Sequence, residues 1–159
     1  MRTLVLRHGL LAGLVISAML VVAIAFRDAI GFDRGALVGY ASMVAAFLLV
    51  YVGVRRYRDT VGGGAIGFWQ ALGVGALIVL VASVCYVVTW EIVYYGFAPD
   101  FMADYQAHVL ERMHADGATA AAIEARRAEM ARFAALYRNP AVNAAITLLE
   151  PLPVGLVVA

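Results

Sequence analysis

The sequence has no lysine; all 12 of its basic residues are arginine. This excludes a phosphate loop of the Walker type, which needs a lysine to reach the phosphates. Eleven acidic residues bring the formal net charge to +1, so the chain carries no basic field suited to nucleic acid. Cys85 is the only cysteine and excludes an internal disulfide. It sits in an apolar run and reads as a small apolar filler. Neither C-x-x-C nor G-x-S-x-G occurs, so no redox or acyl-transfer centre is announced. Charge itself is scarce, at 14% of residues against about 25% in an average soluble domain.

Apolar residues take up the difference, at 64% of 159 positions. A soluble chain of this length could not bury so much apolar surface, whereas a bilayer solvates it. The charges are bunched, which leaves long runs free of them. With Leu4 to Leu6 in front, Leu10 to Phe26 is long enough to span a membrane. Arg2 and Arg7 precede it, and Ala23-Ile24-Ala25 imitates a signal-peptide cleavage site, but the run exceeds the usual apolar core of a leader. Ala36 to Val54 is a second run, and the short polar stretch 27–34 joins the two as a hairpin. Ala65 to Tyr95 is a third, in which Phe68 to Glu91 covers about 35 Å as a helix. Glu91 then reaches the far interface beside Trp90, Tyr94 and Tyr95, which suit an aromatic belt. The last run, Ala141 to Ala159, carries Asn143, Thr147, Glu150, Pro151 and Pro153.

The segment 96–139 is polar and nearly neutral. Phe101, Tyr105, Val109 and Met113 follow at four-residue steps, the pattern of an amphipathic helix. Asp116-Gly117 ends it, and Thr119 is a natural cap for a second, alanine-rich helix reaching about Tyr137. The sequence thus predicts an all-α, four-span transmembrane bundle in one membrane domain. The spans are 4–26, 36–54, 66–95 and 140–159, with an extramembrane helical hairpin over 99–138.

Small residues predict where helices approach closely: Gly9 and Gly13 with Ser17 one step on, and Gly63, Gly67, Ala71 and Gly75 at steps of four. Arg55, Arg56 and Arg58 form the densest basic cluster in a short loop. They set topology and can grip anionic headgroups. With Arg2 and Arg7 on the same side, both termini are expected in the cytoplasm, as in a multi-pass protein of the bacterial inner membrane. Gly62 to Gly67 satisfies G-x-G-x-x-G, but a dinucleotide site needs a strand before it, and here an arginine-rich helix end precedes it. His108, Glu111 and His114 are spaced so that the histidines diverge by about 120° around a helix, which reads as a solvated face; no metal site is assigned.

Glu150 fits least well. It lies about nine residues, or roughly 14 Å, into the last span. A carboxylate at such depth costs at least about 2.5 kcal/mol, so it is expected to be neutral, paired or facing a wet cavity. Pro151 and Pro153 withhold amide donors from the carbonyls of Thr147 and Leu149. Three readings follow: a structural kink, an ion or proton site of the kind built from broken helices, or a small-ligand or lipid site. Gln70 is the second polar candidate within a span.

Several blocks together resemble a bacterial membrane-protein family known as domain of unknown function 4199 (DUF4199). They are Gly39-Tyr40-Ala41-Ser42-Met43, Gly53-Val54-Arg55-Arg56-Tyr57-Arg58-Asp59 and Gly62-Gly63 with Ile66-Gly67-Phe68-Trp69-Gln70-Ala71-Leu72. Pro99-Asp100-Phe101 and Glu150-Pro151-Leu152-Pro153-Val154-Gly155-Leu156 complete the set. The resemblance covers nearly the whole chain and implies a four-span membrane protein, with no activity and no cofactor attached. Members continue beyond the last block to a basic tail, so Ala159 is expected to lie inside or at the end of the fourth helix. The expected function is a non-enzymatic structural or accessory subunit, with membrane lipids as partners and a homo-oligomer or a larger membrane complex as its assembly. The alternative is a small ion- or proton-coupled component centred on Glu150.

Overall fold

The computed structural model describes residues Met1–Ala159. All its regular structure is helical: α1 (Arg2–Ala25), α2 (Arg27–Ile30), α3 (Phe32–Thr60), α4 (Phe68–Gly96), α5 (Phe101–Ala115), α6 (Ala120–Tyr137), α7 (Pro140–Leu149) and α8 (Pro151–Val158). Four segments are long and apolar enough to cross a membrane: α1, α3, α4 and the nearly continuous α7–α8 pair over Pro140–Val158. In a bilayer no water is available to backbone groups, and a helix satisfies them internally. The chain divides into two compact units, one of Met1–Trp90 with Ile146–Ala159 and one of Glu91–Ala145.

In the first unit, α1 and α4 run parallel and in phase. Gly9 lies against Val81, Gly13 against Cys85, and the Thr89 hydroxyl donates to Ser17 Oγ at 2.9 Å. A Cβ added to Gly13 would stand 2.7 Å from Cys85 Cβ, closer than real carbons approach. Glycine is therefore required there by proximity, and the small-residue stripe of α1 is a packing face. Helix α3 runs antiparallel to both. Its Gly53 meets Ile78 and His8, and its Tyr57 accepts a hydrogen bond from Gln70 Nε2 at 3.1 Å. The buried His8 ring is within 2.9 Å of the Leu4 carbonyl through Nδ1, so it finds a partner on its own helix. Helix α8 closes the bundle, with Gly155 against Val79 and Phe47 and Ala159 against Gly75. Ala12, Ala46, Phe47, Val50, Ile78, Val79 and Ala82 are fully enclosed. Leu14, Leu37, Leu48, Val84 and Val88 point outward, as lipid-facing side chains must.

Three expectations need correction. The small-residue seam of the third span is shorter than its spacing implied. Gly63 (φ +66°) lies in the turn and Gly67 ahead of α4, and a Cβ at either would meet nothing within 4 Å. Ala71 is half-buried, and Gly75 alone of the four makes a glycine contact. Second, Arg55, Arg56 and Arg58 are not in a loop. Arginine is a good helix former and suits a helix C-terminus, so α3 continues through them to Thr60. The amides of Gly62 and Gly64 then return to the carbonyls of Tyr57 and Arg58 and end the helix. Third, the polar joint over 27–34 is mostly helical. Only Gly31, at φ +75°, interrupts it between α2 and α3.

In the second unit, α5 and α6 form the expected hairpin. Gly117 takes a left-handed conformation at φ +74° between them, and Thr119 Oγ1 accepts from the Ala122 amide at 3.2 Å to cap α6. Gln106 Nε2 donates to the Met130 carbonyl at 3.0 Å and ties the two helices together. Ile123, Met130 and Tyr137 are buried, while Phe133 stays exposed and stacks on Tyr137. Tyr94 meets Tyr95 and Tyr137 edge to face.

Candidate functional site at the break in the fourth span

The break between α7 and α8 falls at Glu150, near the middle of the 19-residue segment Pro140–Val158. Its cause is local. Pro151 and Pro153 have no amide hydrogen, so the carbonyls of Thr147 and Leu149 lose the donors that a regular helix supplies. The Glu150 amide turns instead to the Thr147 carbonyl, at a long 3.4 Å. Pro151 itself is buried, and the backbone at Glu150 stays helical at φ −66° and ψ −51°, so α8 follows directly on α7.

Tyr86 of α4 holds the carboxylate, its hydroxyl donating to Glu150 Oε2 at 3.1 Å. Tyr86 is buried, whereas Glu150 is exposed at the bundle surface. The expectation of a paired carboxylate is met at one oxygen, but the residue does not point into the interior of the bundle. One turn before Tyr86, Ser83 is fully enclosed, and its Oγ has no hydrogen-bond partner. Val79, Ser83 and Tyr86 fall within about 60° around α4. Val79 touches Gly155 and Tyr86 touches Glu150, so Ser83 lies opposite the first turn of α8. On α7, Thr147 is buried one turn before Glu150.

Glu150, Pro151 and Pro153 are therefore one site, but Gln70 is not part of it. It precedes Tyr86 by four and a half turns, about 24 Å, and its amide is bound to Tyr57. Arg55 and Arg56 are exposed at the same end of the unit as Gln70, and Arg58 is paired with Asp59 at 2.8 Å. The sequence reading passed over Ser83 and Tyr86. Their signal was a hydroxyl pair three residues apart in an otherwise aliphatic stretch, legible only once the partner helix was known. His108, Glu111 and His114 stay on α5, and no group of three or more histidine, cysteine, aspartate or glutamate side chains converges to hold a metal ion.

Four membrane-crossing helices with an acidic break in the last define an integral membrane protein of the helical-bundle class. The family model described as Protein of unknown function (DUF4199) matches residues 7–159, and the chain belongs to that family. No curated protein and no solved structure matches it.

Proposed function

We propose that this chain is a non-enzymatic structural or accessory subunit of an assembly in the bacterial cytoplasmic membrane. The supporting observation is the exposed Glu150 near the middle of a span. A carboxylate facing lipid costs at least about 2.5 kcal/mol, and a second protein surface removes that cost by covering it. A second copy of the chain is the simplest cover, with a larger membrane complex as the other form of the same reading. Both termini lie in the cytoplasm, and the charged α5–α6 hairpin lies outside. Arg55, Arg56 and Arg58 anchor the cytoplasmic end on anionic headgroups, each contributing about 1 kcal/mol. Lipids and membrane proteins are the partners; nucleic acid is not.

Native mass spectrometry of the purified chain tests this, with Glu150→Gln beside the wild type. Glutamine still accepts from Tyr86, so folding should survive. The expected result is an oligomer that Glu150→Gln converts to monomer. A wild-type monomer, free of any co-purifying membrane protein, would refute the reading. A second reading, an ion-coupled transport component, is favoured by the proline break beside the carboxylate.

A further inference from the structure

The break in the fourth span is rich in oxygen acceptors and poor in donors. Two successive odd positions, 151 and 153, are prolines and supply no amide hydrogen. The carbonyl of Leu149 has lost its helical donor for that reason. Glu150 brings a carboxylate with one oxygen held by Tyr86 and the other left over. Ser83 brings a hydroxyl oxygen that is fully enclosed and has no partner. An unsatisfied buried hydroxyl is destabilising.

We propose that this break binds an alkali-metal cation, with Glu150, Ser83 and the Leu149 carbonyl as ligands and Tyr86 positioning the carboxylate. Three features select that class. All the donors are hard oxygens, which suit hard cations and not the softer transition metals. A single carboxylate balances a single positive charge, whereas a divalent ion would leave net charge inside the membrane. A lone proton would occupy one carboxylate oxygen and leave Ser83 and the freed carbonyl unused. A carbonyl that a proline leaves without its donor in a membrane helix supplies part of the coordination that such an ion loses with its water.

The proposal gives the second functional reading its ligand but does not depend on transport. A cation that binds with no flux in proteoliposomes would remove that reading and leave the site standing. It is also independent of assembly, because a monomer can bind it.

The test uses the purified full chain in lipid nanodiscs. A carbodiimide that attacks protonated carboxyls in apolar surroundings labels Glu150, and peptide mapping separates this from labelling at Glu91. Labelling is measured in sodium or potassium chloride against choline chloride at equal ionic strength. The expected result is protection by one or both alkali ions and none by choline. Ser83→Ala and Tyr86→Phe should each move the protecting concentration up by about tenfold, while the thermal midpoint of Ser83→Ala in choline does not fall below the wild-type value. Glu150→Gln serves as the unlabelled control. Equal labelling in all three salts overturns the proposal. So does protection by raised pH alone, which would be a proton site, and so does a Ser83→Ala protecting concentration equal to that of the wild type.

Discussion

At the scale of single residues, the glycines divide into those that must be glycine and those that need not be. Gly13 has Cys85 within 2.7 Å of any added Cβ, and Gly155 has Val79 at 2.5 Å. Gly13→Leu and Gly155→Leu should each destabilise the bundle by about 1–3 kcal/mol, the usual cost of overpacking. Gly67→Ala, in open space, should stay within about 0.5 kcal/mol of wild type. Denaturant titration of the protein in mixed micelles, followed by circular dichroism, separates the two classes. This difference could not be read from the sequence. Spacing alone made Gly67 and Gly75 equivalent, and only the start of α4 at Phe68 distinguishes them. Glu150 was legible because an acidic residue beside two prolines violates the rules of an apolar span. Ser83 was not, because a lone serine in a membrane helix ordinarily returns its hydroxyl to its own backbone, as Ser42 does to Val38 at 2.7 Å.

At the scale of elements, most of the helices were legible and their ends were not. Apolar runs set the spans because length and the absence of charge decide insertion. The ends were missed where polar residues suit a helix terminus, arginine in the last turns of α3 and Asp33 in its first turn. The α6 cap was legible because capping is a local event. Thr119→Ala should remove the bond to Ala122 and cost the hairpin about 0.5–2 kcal/mol. Hydrogen exchange should then speed up in the first turn of α6, with α1 and α3 unaffected. If the α6 amides exchange at wild-type rates, the cap contributes nothing.

For the whole molecule, one end of the first unit gathers Arg2 and Arg7 of α1 with Arg55, Arg56 and Arg58 of α3. Positive residues in short connections stay in the cytoplasm, so this end is expected there. A reporter active only outside the cytoplasm, fused near Gly117, should be active in wild type. Replacing Arg55, Arg56 and Arg58 together by glutamine should reduce that activity by weakening the orienting signal. Cytoplasmic activity of the wild-type fusion would reverse the topology. Beyond the short joint that pairs α1 with α3, the sequence does not say which span meets which, because each span is apolar around most of its circumference. The pairing came from shape, at the glycines.

The parallel pairing of α1 with α4 has a consequence for how the protein is made. Gly9 and Val81 are about 70 residues apart in the chain. At about 5–20 residues per second, α1 emerges from the ribosome roughly 4–14 s before the surface it finally packs against. Throughout that interval its Gly9–Gly13–Ser17 face is in the membrane without its mate, and the chain must first turn back through α3. Of this pair α1 is thus the one that waits, and α4 is the segment whose arrival completes its burial.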